Sequence, residues 1–142
     1  MIYRIGFAGT PSMSVSFLEQ FLRDSRFKVE FIMTKYEDPK SKAQSLYNYL
    51  LKKACPIKVY TPHSLKEISE DIFQDLDAMI VVAYGHKVPE RMLNKTKWIN
   101  MHASLLPEFR GASPIQFALL RGKEVTGITC MLMGLVWSVG MF

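Results

Sequence analysis

Cysteine is scarce in this sequence. Only Cys55 and Cys130 occur among 142 residues, and neither has the paired spacing of a metal site. A disulfide framework and a zinc centre therefore have no basis in the sequence, no metal is expected, and a reducing, cytoplasmic setting suits the chain. No signal peptide is legible at the start, because Arg4 interrupts the short apolar run from Met1 to Pro11. Repeats and low-complexity segments are absent. Charge is missing from one end: Glu124 is the last acidic residue, and the 18 residues from Val125 to Phe142 carry none of either sign. Such a run reaches the lower limit for a membrane span. Gly127, Gly134, Gly140, Thr126, Thr129 and Ser138 dilute it, so no membrane anchor is expected.

What is present is ordinary globular material. Hydrophobic residues make up 49% and charged residues 22%, which excludes disordered and fibrous classes. The length fits one domain, residues 1–142, able to bury roughly two thirds of its unfolded surface. Eighteen basic against thirteen acidic residues give a net charge of +5, which mildly favours a polyanionic partner.

Apolar runs alternate with helix-period stretches along the whole chain, the pattern of a sheet with crossover helices. Strands are expected at Ile2–Ala8, Lys28–Thr34 (with Val29, Phe31 and Met33 on one side), Ile57–Tyr60, Ala78–Ala83, Trp98–His102 and Gly127–Met133. Helices are expected at Val15–Arg23 with Ser12 or Ser14 as cap, Ser45–Lys53, from Thr61–Ser64 to about Phe73, Pro89–Leu93, and Ser113–Leu120 ending at Gly122. The fold class is α/β: a Rossmann-like, doubly wound, mostly parallel sheet of six strands with helices on both faces. In such a sheet ligands bind beyond the carboxyl ends of the strands. Gly9-Thr10-Pro11, Tyr84-Gly85-His86 and Asn100-Met101-His102 stand at those ends.

Gly6-Phe7-Ala8-Gly9 lacks the third glycine of a dinucleotide fingerprint, and no Gly-Lys-Ser/Thr follows for a phosphate loop, so it reads as a tight strand-to-helix turn. Asn100 and His102 say more. Two apart in a strand, they face the same way. The amide suits a developing oxyanion, and the imidazole suits proton transfer or a second hydrogen bond to that oxygen.

The run Asn100-Met101-His102-Ala103-Ser104-Leu105-Leu106-Pro107, followed by Arg110-Gly111-Ala112-Ser113-Pro114-Ile115-Gln116, resembles the folate-dependent formyltransferases. Phe7–Pro11, Val82–Gly85 and Thr126–Thr129 extend the resemblance over nearly the whole chain. It implies 10-formyltetrahydrofolate as formyl donor, bound by Ser104, Leu105, Leu106 and Pro107 and by a pterin-pocket wall of Val82, Ala83, Tyr84 and Gly85. It implies Asn100 and His102 as catalytic residues that stabilise the oxyanion. The likeness is greatest to members that formylate initiator methionyl-tRNA, which implies that tRNA as partner. Lys35, Lys40 and Lys42, in a loop shorter than the family's and carrying Glu37 and Asp38, are then candidates for its phosphates, together with Arg110. An amino sugar or a glycinamide nucleotide stays open as acceptor, as does an inactive folate-binding remnant.

The chain departs from the family at its end. The family places a catalytic aspartate in a Gly-Leu-Asp-x-Gly-Asp turn after the last strand. Aligned without gaps from Met131, Ser138 takes that place, and a serine carries no charge. Trp137 and Met141 have single codons, and restoring one nucleotide upstream permits the reading Gly-Leu-Glu-Cys-Gly-Asp-Val. The resemblance also implies a C-terminal barrel domain that helps hold tRNA, and residues 1–142 are expected to hold only the N-terminal, folate-binding catalytic domain. Family members are monomers. The apolar end from Leu132 to Phe142 is expected to be disordered or to associate.

Overall fold

The computed structural model describes residues 1–134 of the chain. Six strands form one sheet: β1 (Tyr3–Gly9), β2 (Phe27–Met33), β3 (Lys58–Tyr60), β4 (Ala78–Val82), β5 (Lys97–His102) and β6 (Thr129–Leu132). Their order is β3-β2-β1-β4-β5-β6, with every pair parallel except β5 and β6. From β1 the chain winds outward through β2 to β3, then returns to place β4 on the other side of β1. That reversal opens a crevice beyond the carboxyl ends of β1 and β4.

The central strands are apolar because they are covered on both faces. One core cluster gathers Phe7, Leu18, Ile32, Leu46, Leu50, Ile80 and Val82 under helices α1 (Ser12–Arg23) and α2 (Leu46–Lys52). The other gathers Phe31, Met33, Leu65, Phe73, Met79, Met92 and Trp98 on the opposite face. Helices α3 (Glu90–Leu93) and α4 (Pro114–Leu120) complete the fold. Gly122, at φ +63°, ends α4: its N–H donates to Leu119 O at 3.0 Å, and the Lys123 N–H donates to Ala118 O at 3.0 Å.

Three local expectations are corrected. Val29 does not share a face with Phe31 and Met33. The β1–β2 register slips between Ile5 and Gly6, which pair with Val29 and Phe31, so Glu30 is an extra residue and the alternation inverts. Glu30 receives Arg4 Nε at 2.7 Å instead. The segment from Ser64 to Phe73 is not one helix but two 3-10 turns, Leu65–Glu67 and Glu70–Phe73. The Ser69 hydroxyl accepts from Asp71 N at 3.4 Å and so starts a second turn where a continuous helix would pass. Neither Ser12 nor Ser14 caps α1: Pro11 precedes it, and Ser14 Oγ donates to Pro11 O at 2.6 Å.

Among the described residues no helix is long and apolar enough to cross a membrane. The start of the uncharged run contains the antiparallel edge strand β6. Residues 135–142, with Ser138 and the rest of the expected associating end, lie outside the described residues.

Candidate active site

Asn100 and His102 sit on β5, between β4 and β6. Asn100 is in register with Val81 on one side and Met131 on the other, and His102 faces Thr129. Trp98 points into one core cluster, while Ile99 and Met101 pack against the other. The pleat therefore turns Asn100 and His102 toward one face. Both line a cavity of about 390 Å³ at the carboxyl ends of β4 and β5. Among the described residues the Asn100 amide has no hydrogen bond to another protein group, so it stays free for a ligand.

His102 is buried, and its Nε2 lies 2.9 Å from the Phe109 carbonyl. A carbonyl only accepts, so Nε2 carries the proton and Nδ1 is the nitrogen left for other work. The loop that brings Phe109 there is built from the sequence run after β5. The Ser104 hydroxyl, fully buried, donates to Glu108 O at 2.7 Å. The Thr129 hydroxyl donates to Ser104 O at 2.7 Å and accepts from Leu106 N at 3.0 Å, pinning the loop to β6. Phe109 holds φ +53°, a left-handed conformation that a non-glycine residue adopts only under local constraint.

The opposite wall comes from the turn after β4. Ala83 at φ +50° and Gly85 at φ +76° bend the chain sharply, and Thr10 Oγ1 donates to Tyr84 O at 2.8 Å to hold the turn against β1. Gly9 is required for that approach: a Cβ there would lie 2.5 Å from Ser14 Cβ and 2.9 Å from the Val82 carbonyl oxygen. Tyr84 is buried, its hydroxyl lacks a partner among the described residues, and burial pushes its phenol well above the ordinary range. Its ring meets His86 at 4.9 Å between centroids. His86 Nε2 is likewise buried and unpartnered, and burial, helped by the nearby Lys35 ammonium, holds its imidazole below the usual value. Both polar tips belong to residues of the lining.

Of the expected site residues, Ala83, Tyr84, Gly85, Asn100 and His102 come together on this cavity. The others do not join the lining. Val82 buries its side chain in the core under α1. Ser104, Leu105, Leu106 and Pro107 form the loop that leads to Phe109, and Leu105 packs where a Cβ on Gly127 would stand. Lys35 Nζ lies 3.2 Å from the place of a Gly85 Cβ, at the mouth. Lys40, Lys42 and Arg110 are exposed and apart from the lining. Sequence reasoning gave no site role to Met13, His86 or Met133, which also line the wall. His86 had a usable signal, its place just past a strand's carboxyl end, and the lining residues Ile115 and Gln116 continue the run that carries the family resemblance. Among the described residues no group of three or more His, Cys, Asp or Glu could hold a metal ion.

The family described as formyl transferase matches residues 4–134. A methionyl-tRNA formyltransferase of a Nitratiruptor species is 40% identical over 140 residues, covering 92% of this chain and 45% of that protein. The Helicobacter pylori methionyl-tRNA formyltransferase is 37% identical over 137 residues, again 92% and 45%. The chain thus spans about half the length of the curated relatives it matches. In fold it is similar to phosphoribosylglycinamide formyltransferase from Anaplasma phagocytophilum, with TM-score 0.68 and 20% identity over 94% of this chain and 65% of that one. A 4-N formyltransferase from Francisella tularensis gives TM-score 0.66 at 17% identity, covering 94% of this chain and 51% of that one. Asn100 and His102 stand above a crevice at the switch point, and the family match spans nearly the entire described chain: this chain belongs to the formyl transferase family.

Proposed function

We propose that this cavity is a formyl-transfer site, with 10-formyltetrahydrofolate as donor and the α-amine of initiator methionyl-tRNA as acceptor. One observation carries the reading: Asn100 and His102 stand side by side on β5 and line the same cavity as Ala83, Tyr84 and Gly85. The size, about 390 Å³, is within the range of small-molecule sites, and a few polar groups punctuate an apolar wall. The unpartnered Tyr84 and His86 tips suit a flat heterocycle rich in donors and acceptors. When bound, the donor supplies an activated one-carbon acyl group.

The chain's residues do the rest. The free Asn100 amide donates to the carbonyl oxygen as negative charge develops there. His102, with Nε2–H held by the Phe109 carbonyl, has a fixed ring orientation. Its Nδ1 takes the proton that an attacking amine must lose, or, once protonated, donates to the oxygen. The family's aspartate would favour the imidazolium; Ser138, aligned to that place, supplies no charge, so transfer is expected to be slow. Lys35, Lys40, Lys42 and Arg110 meet phosphates of the acceptor end.

The test is single-turnover formyl transfer to methionyl-tRNA, glycinamide ribonucleotide and an amino-sugar nucleotide in parallel. His102→Ala is expected to lower transfer to methionyl-tRNA by about 100-fold or more while the domain stays folded, with a modest drop in melting temperature from the lost Phe109 bond. Equal rates in that variant would remove the mechanism. Faster transfer to either other acceptor would overturn the choice of substrate.

A further inference from the structure

The chain's net charge resides on one edge of the sheet. Residues 39–66 contain six lysines (Lys40, Lys42, Lys52, Lys53, Lys58 and Lys66) and no aspartate or glutamate. Twelve basic residues of the eighteen lie elsewhere and face all thirteen acidic ones, so the remainder of the chain is close to neutral. The fold keeps this segment together at the β3 edge. Lys52 and Lys53 end α2 on one face, Lys58 lies on β3 itself, and Lys66 is in the turn that carries Leu65 into the core of the other face. All six are exposed. The ion pairs among the described residues involve Arg4, Arg23, Arg26, Lys28, Arg91, Lys95 and Lys123, none from this strip. Lys53 and Lys58 rest over tyrosine rings, at 6.0 Å from Tyr49 and 4.8 Å from Tyr60, contacts that position an ammonium without neutralising it.

The strip begins at the cavity mouth. Lys35 overhangs Gly85, and the start of α2 is tied to the turn after β1 by Leu46 N donating to Thr10 O at 2.9 Å. Beside it Tyr36, 59% exposed, meets Tyr47 at 5.2 Å between centroids. Exposed aromatic faces beside lysines suit unpaired bases and the backbone that carries them. An anionic bilayer fits less well, because among the described residues of this edge Tyr36 and Leu51 are the only large exposed apolar side chains.

We infer that the α2–β3 edge, through Lys52, Lys53 and Lys58, is a second RNA-backbone surface that continues from the active-site mouth past the Lys35–Lys42 loop. The RNA's identity as a tRNA acceptor end rests on the proposed function; the surface itself does not.

The experiment is fluorescence anisotropy with unacylated initiator tRNA, at several salt concentrations, on the full chain. Lys52→Gln/Lys53→Gln/Lys58→Gln is expected to weaken binding at least about 10-fold at low salt. The slope of log affinity against log salt should become shallower by about 2–3. The Lys→Arg triple should bind like wild type, and Lys95→Gln/Lys97→Gln, on another part of the surface, should change little. Unchanged affinity and slope in the Gln triple would overturn the inference. So would phosphatidylglycerol vesicles binding with the same lysine dependence and displacing the tRNA, which would make the edge a membrane surface. Lysine-dependent tRNA binding without any formyl transfer would sink the proposed function and leave this surface standing.

Discussion

Thr129 is the most informative single position, because one hydroxyl holds the loop that holds His102. Its Oγ1 donates to Ser104 O at 2.7 Å and accepts from Leu106 N at 3.0 Å. Thr129→Val keeps the shape and removes both bonds, leaving a part-buried carbonyl and amide of the loop without protein partners. Two such losses cost about 1–3 kcal/mol in total. For a domain of this size that lowers the melting temperature by roughly 3–10 °C. The Leu106 amide, freed from its acceptor, should exchange with deuterium faster than in wild type. Because Phe109 O reaches His102 only while this loop is in place, formyl transfer should fall more than stability alone explains. Thr129→Ser, which restores the hydroxyl, should recover both. Denaturant unfolding, amide exchange and single-turnover transfer on the three proteins check this. If Thr129→Val lies within about 0.5 kcal/mol of wild type and Leu106 exchanges at the same rate, the reasoning about the loop is wrong.

Other expectations follow from the same contacts. Gly9→Ala drives a methyl into Ser14 and the Val82 carbonyl; it should destabilise by about 1–3 kcal/mol in denaturant melts, with partial recovery in Gly9→Ala/Ser14→Gly. Asn100→Ala removes the free amide and should slow transfer by about 100-fold while leaving the melting temperature unchanged. Burial and the Lys35 ammonium favour the neutral His86 ring in the folded state, so the unfolded chain binds that proton more readily. Stability should therefore fall as pH drops below the ordinary histidine value, and less so in His86→Gln, as read by melts between pH 7 and 5. Ser138→Asp should raise formyl transfer if a missing acid is what limits the rate; no gain in a single-turnover assay would refute that.

The parts of this structure that were legible in sequence are those where one local signal dominates. Continuous apolar runs mark β1 and β4 because both faces are covered, and Pro114 with Gly122 brackets α4. Asn100 and His102 were legible because strand spacing alone puts them on one face. Where two signals compete, the reading failed. Val29 looks like a partner of Phe31 until the bulge at Glu30 inverts the pleat, and that bulge arises from pairing with β1, which no local pattern encodes. Helical periodicity from Leu65 to Phe73 is real, but Ser69 offers its own cap and breaks the turn. The cavity wall was least legible. Met13, Gln116 and Met133 come from three distant segments and meet only because the sheet reverses direction at β4. Ser104–Pro107, conspicuous in sequence, build the loop that supports His102 and lie beside the lining.

The central claim is that the cavity under Asn100 and His102 receives the formyl donor. Its most direct test is a titration of the isotope-labelled chain with a non-transferable 10-formyl folate analogue, followed by amide and side-chain chemical shifts. The account predicts saturable shifts at Ala83, Gly85, the Asn100 side-chain amide, His102 and Gly111, and none along β3. Saturable binding that leaves Asn100 and His102 unmoved, or no binding at all, would contradict it.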